Sequence, residues 1–173
     1  MEETSQPTVK STAIKWGLIN GLISIIFFVI VDFAGMAGNQ SLSWIGLVIF
    51  VILLFLAQKE FKNEGDGYMS FGQGLGIGTL IALISSLISS VFTFVYVSFI
   101  NTNMIDAIRE KSIADMEEAG RSQAEIDQAM PFVEMFTSPA AMLIMGILMG
   151  VFFGFIASLL VTIFTKNQDP ETI

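Results

Sequence analysis

The sequence predicts an all-α, polytopic membrane protein: four transmembrane helices, with a short extracytoplasmic amphipathic helical pair between the third and the fourth. Three observations predict this. Long apolar stretches at about residues 14–37, 41–57, 71–100 and 138–165 fill most of the chain, and about 20 apolar residues in a helix cover the hydrocarbon core of a bilayer. The composition is 53% hydrophobic with 14% charged residues, and the mean hydropathy of +0.72 lies far above the soluble norm. The only sizeable polar region is 101–137. A soluble fold would have to bury all four stretches at once with little polar surface to cover them, so residues 1–173 read as one integral membrane domain.

Segment 1–12 is polar, carries Pro7 and has no apolar period, which predicts a short mobile cytoplasmic tail. Gly35-Met36-Ala37 resembles a small-residue cleavage site at the end of the first stretch. That stretch is longer than the apolar region of a signal peptide, however, and Asp32 interrupts it. It is therefore read as a retained span. The turn Gly38-Asn39-Gln40-Ser41 is short and uncharged, which forces an antiparallel hairpin. The second stretch is a minimal span: it crosses if Gln40, Ser41 and Gln58 sit in the interface, or if the bilayer thins locally. The next connection, 58–70, holds Lys59, Glu60, Lys62, Glu64 and Asp66 with two glycines and reads as a solvated loop.

The third stretch is long enough to span with tilt. In the polar region after it, Ile105, Ile108 and Met116 recur at helical spacing up to Gly120, a C-terminal stop. Ser122 stands three residues before Glu125, a capping-box pattern that opens a second run through Ile126, Met130, Val133 and Phe136. Pro131 is expected to start, kink or end that second helix. Ser138-Pro139 supplies an N-cap and first-turn pair for the fourth span.

Orientation follows from the basic residues. With the N-terminus inside, Lys10, Lys15, Lys59, Lys62 and Lys166 fall on the inner side, against Arg109, Lys111 and Arg121 outside. The short outer turn has none, and short loops weigh most in this rule. Trp16 and Trp44 sit where interfacial aromatic belts would place them. The expectation is a multi-pass protein of the bacterial inner membrane with both termini cytoplasmic.

The inventory limits the chemistry. There is no cysteine and no histidine, so thiolate nucleophiles, sulfur-ligated metals and the commonest general base are all missing. A net charge of −8 with no basic cluster argues against nucleic acid and against polybasic lipid recognition. No catalytic set, cofactor cradle or metal-ligand arrangement can be assembled, and the protein is expected not to be an enzyme. The glycines around positions 65–78 lack the strand and the Lys-Ser/Thr of a phosphate loop. The acids Asp106, Glu110, Asp115, Glu117, Glu118, Glu125, Asp127 and Glu134 follow no calcium-loop pattern and read as a solvated helix face.

Two patterns remain. Gly146, Gly150, Gly154 and Ser158, and on the third stretch Gly74, Gly78, Ala82, Ser86 and Ser90, recur every four residues. Each set lies on one helix face where backbones can approach closely, so these are candidate helix-packing residues within one chain or between two; a conduit lined by small side chains is the functional alternative. Gly17 and Gly21, with Asn20 and Ser24 alongside, form a shorter version on the first. Asp32 is the one acid inside an apolar stretch, and with Asn20 it is the candidate intramembrane polar site for an ion or proton; the alternative places Asp32 at the membrane boundary.

The segments Lys15-Trp16-Gly17-Leu18-Ile19-Asn20-Gly21 and Met69-Ser70-Phe71-Gly72-Gln73-Gly74, the acidic helical pair and the glycine-rich last helix resemble the bacterial domain-of-unknown-function family numbered 4199. The resemblance covers about residues 10–166 and implies a small inner-membrane protein with four spans; it brings no catalytic residue with it. The functional expectation is a non-catalytic protein that acts in the lipid bilayer through a membrane partner or as a homo-oligomer. The alternative is a small ion or solute transporter or channel built around Asp32.

Overall fold

The computed structural model describes residues 7–36 and 39–167. The tail 1–6, Ala37 of the candidate cleavage site, Gly38 of the first turn and segment 168–173 lie outside the described residues. The fold is all-α: α1 (Val9–Phe33), α2 (Gln40–Glu64), α3 (Phe71–Val95) continuing into a π-helical turn (Tyr96–Ile100), α4 (Asn103–Glu118), α5 (Gln123–Thr137) and α6 (Pro139–Thr165). Four of these segments, α1, α2, α3 with its π turn, and α6, are long and apolar enough to cross a membrane.

Local chemistry sets most of the ends. Thr8 and Ser11 cap α1 reciprocally, each backbone N–H donating to the other's hydroxyl at 3.0 Å. The helix therefore begins at Val9, and residues 9–12 belong to it instead of to a mobile tail. It ends at Phe33, where Gly35 takes a φ of +68° that an L side chain resists. Ser70 with Gln73, and Ser122 with Glu125, form the same capping box on α3 and α5. Gly120, at φ +74°, is the stop beyond α4. Ser138 caps α6 by accepting from the Ala141 N–H at 3.3 Å, with Pro139 in the first turn. Pro131 stands within α5, which continues past it to Thr137.

The second span corrects the sequence expectation most. Residues 58–64 continue α2 where a solvated loop was expected. Gln58, set in the interface by one of the two readings of that span, is fully buried. Its face explains why: Leu54, Gln58 and Phe61 recur at helical spacing and all three are buried, so the stripe that packs inward outlasts the apolar run.

α3 is central. It runs parallel to α1, with Ile84 set over Gly17 and Ile88 over Gly21, and antiparallel to α6. The near end of the bundle holds the start of α1, the α2–α3 connection and the end of α6. There the core gathers Ala13, Leu54, Ala57, Phe61, Met69, Ile77 and Ile81. Met69 and Asn167 exchange both backbone hydrogen bonds, at 2.8 and 3.0 Å, and so join the start of α3 to the end of α6. At the far end, Tyr96, Val97 and Met104 form a second cluster with Phe28, Phe92 and Met142. It seats α4 against the ends of α1 and α3. The Arg109 Nε–H donates to Thr137 Oγ1 at 3.3 Å and ties α4 to α5.

Candidate functional site

The small-residue ladders of α3 and α6 face each other within the chain. Gly74 meets Thr162, Gly78 meets Ser158, Ala82 meets Gly154, Ser86 meets Gly150 and Ser90 meets Gly146. Each rung sets one glycine against one residue that has a Cβ. A Cβ added at Gly74 would stand 2.5 Å from Thr162 Cγ2, and one at Gly150 would stand 2.6 Å from Ser86 Cβ. The helix backbones are therefore as close as the glycines allow, and neither ladder is available as a surface for a second copy. Ser158 Oγ adds bonds to the carbonyls of Gly74 and Leu75 at 3.4 and 3.3 Å.

Beneath this zipper lies a polar knot that sequence reasoning missed. Gln58 Nε2 donates to the Gly74 carbonyl at 3.0 Å and to Thr162 Oγ1 at 2.9 Å, and its Oε1 accepts from the Thr165 hydroxyl. One amide so joins α2, α3 and α6. Lys62 Nζ donates to the Thr165 carbonyl at 2.9 Å, satisfying an orphan acceptor at the end of α6. Lys15 and Trp16 both bond Glu60, at 2.8 and 3.0 Å, tying α1 to α2. The signal available in the sequence was the spacing of Gln58 from Leu54 and Phe61.

Asp32 is half-buried at the far end of α1. It accepts from the Tyr96 hydroxyl at 2.7 Å and from Asn101 Nδ2 at 3.0 and 3.2 Å. The π turn makes this possible: the Asn101 N–H donates to the Tyr96 carbonyl at 2.8 Å, and the residue inserted in that turn brings both side chains to one carboxylate. Asp32 and Asn20 do not share a site. Twelve helical residues separate them, about 18 Å along α1.

Asn20 belongs to a different feature. Above Phe50, α2 diverges: no described residue of α2 before Leu53 is buried. The gap it leaves against α1, α3 and α6 is a cavity of about 620 Å³. Its polar wall is Asn20, Ser24, Ser85, Ser86 and Ser89; Phe27, Phe50, Phe153 and Trp44 are among its apolar walls. Asn20 is 5% exposed, and its amide has no hydrogen-bond partner among the described residues. The acids of 101–137 lie elsewhere, and several pair locally, Asp106 with Arg109, Asp115 with Lys111 and Glu125 with Arg121. Among the described residues no three of them converge as a metal site would require.

A family model described as a protein of unknown function (DUF4199) matches residues 15–167. No curated protein and no solved structure matches the chain.

Proposed function

Starting from the chain's membership of domain-of-unknown-function family 4199, a family without an assigned activity, we propose that this multi-pass membrane protein works by association and not by catalysis. The associate is a membrane partner or a second copy. The observation that carries the reading is the outer edge of α5. Phe132, Met135 and Phe136 are 63, 54 and 51% exposed on a helix whose other face, through Ile126 and Thr137, is packed. Large apolar side chains left uncovered on a helix beyond the spans mark an interaction surface. The commitment of Gln58, Asp32 and Glu60 to ties between helices supports the same reading, since it leaves few polar groups for acid–base work.

In this proposal the near end is cytoplasmic, both termini with it, and α4 and α5 stand outside a bacterial inner membrane. Support comes from Lys10, Lys15, Lys59, Lys62 and Lys166, which the fold gathers at one end. An ion pathway through Asp32 finds less support, because that carboxylate is held by Tyr96 and Asn101 and does not line the cavity.

Photo-cross-linking in native membranes tests the reading. With benzoylphenylalanine in place of Phe132, a discrete protein adduct is expected, either to one partner identified by mass or to a second copy. The same probe at Leu160, an exposed residue within α6, is expected to capture lipid. Lipid adducts alone at position 132, together with a monomer in several mild detergents, would overturn it.

A further inference from the structure

We infer that the cavity beside Asn20 binds a small, neutral, membrane-dissolved molecule that carries one hydroxyl head on an apolar body. The inference goes beyond the reading of the protein as one that works by association: it concerns a different place in the fold and stands on its own observations.

The head is read from the polar wall. A primary amide is costly to bury without partners, and Gln58, the same functional group, is bonded through both its nitrogen and its oxygen. Asn20 is 5% exposed, and its two N–H donors and its carbonyl have no partner among the described residues; its amide atoms are not sealed as those of Gln58 are, and the side chain lines the cavity, where an occupant would complete their burial. Across from it, Ser85, Ser86 and Ser89 each give their own O–H to a carbonyl of α3, at 3.3, 3.1 and 3.4 Å. Their oxygens are left as acceptors. The wall therefore offers an amide that both donates and accepts, beside further acceptors. A hydroxyl, one donor with two lone pairs, answers both.

The rest is read from what the cavity contains. No Asp, Glu, Lys or Arg lines it, so an ion would enter without a counter-charge at membrane depth. Phe27, Phe50, Met149 and Phe153 supply the apolar body's surroundings. About 620 Å³ lies in the range of sites for small organic molecules. Gly46, also in the lining, faces open space, with no atom within 4 Å of where its Cβ would stand.

The test uses Trp44, which lines the cavity and is the only tryptophan left in a Trp16→Phe chain. Its fluorescence in lipid nanodiscs is followed against 11-bromoundecan-1-ol, 1-bromoundecane and 11-bromoundecanoate, since bromine quenches at contact. The alcohol should quench saturably at a concentration at least about ten-fold below either of the others. Asn20→Leu should bring the alcohol down to the alkane's level. Gly46→Leu, which fills the cavity from a position without steric conflict, should remove the saturable component and leave the thermal midpoint unchanged or raised; it decides the matter if Asn20→Leu does not fold. Quenching that only rises linearly, equal quenching by alkane and alcohol (an acyl chain in the groove), or saturable quenching that survives Gly46→Leu would each overturn the proposal. Alcohol binding without an adduct at position 132 would leave this site standing and remove the α5 surface. The converse result would remove the site alone.

Discussion

Gly154 and Ala82 show how narrow the tolerance is at the α3–α6 contact. A Cβ added at Gly154 lands on the Ala82 Cβ, and overpacking of this kind typically costs about 1–3 kcal/mol. Gly154→Ala should destabilise the protein by that order in detergent unfolding, whereas Gly46→Ala should stabilise it by up to about 1 kcal/mol through helix propensity alone. The decisive variant is the swap. Ala82→Gly combined with Gly154→Ala keeps one glycine and one methyl on the rung, so it should recover most of the loss, an interaction that a double-mutant cycle reads directly. The four-residue spacing of these residues was legible in the sequence, because small residues at that interval can only mean a face. What the face meets was not, since spacing names no partner. Asn20 is legible in the sequence as an intramembrane polar group, and so is its distance from Asp32, because twelve residues of one helix set the two about 18 Å apart; what one helix's sequence does not say is that Asp32 is taken up by Tyr96 and Asn101.

At the scale of elements, the helix ends were the best-read features, because caps are local. Ser122 and Glu125 announce α5, and the structure gives the carboxylate an electrostatic consequence. The Ser122 backbone N–H, then its hydroxyl, then Arg121 hold the Glu125 carboxyl below the usual carboxylate range. A folded pKa below the unfolded one means stability that is present above the unfolded value, about 4.3, and is lost as pH falls through the folded value. Hydrogen exchange of the 122–126 amides should therefore accelerate as pH drops below about 4, after correction for intrinsic rates. Glu125→Gln should flatten that dependence, and an unchanged profile in the variant would remove Glu125 as its source. Two elements were not legible. The π turn has no composition of its own, being visible only once Asn101 bonds back to Tyr96. The final turns of α2 read as loop in the sequence because Lys59, Glu60, Lys62 and Glu64 are charged, although charges on a helix's outer side leave its inner stripe intact.

For the whole molecule, the ties are uneven: the near end is clamped by Gln58, Glu60, Lys62 and the Met69–Asn167 bridge, while the far half of α2 touches little. The proposed orientation can be tested without background labelling, since the natural chain has no cysteine. A membrane-impermeant maleimide on intact cells should label Glu118→Cys and should reach Glu64→Cys only after lysis; the opposite pattern would invert the topology. Four spans were legible because length and hydropathy suffice for that, whereas the cavity was not, because it arises from the divergence of one helix from three others. The rungs between α3 and α6 bear on how such a bundle finds its register. α1 and α2 are aligned by a short turn, but residues 101–138 separate α3 from α6, so no loop can set how far one slides along the other. The glycine of each rung lies on α3 for Gly74 and Gly78 and then crosses to α6 for Gly154, Gly150 and Gly146. Slide α6 by one turn in one direction and Ala82 collides with Ser158; slide it in the other and Gly78 faces Gly154 across an empty gap while Ser90 meets Met142. The crossover works as a notch cut into both helices, which seats at one position only.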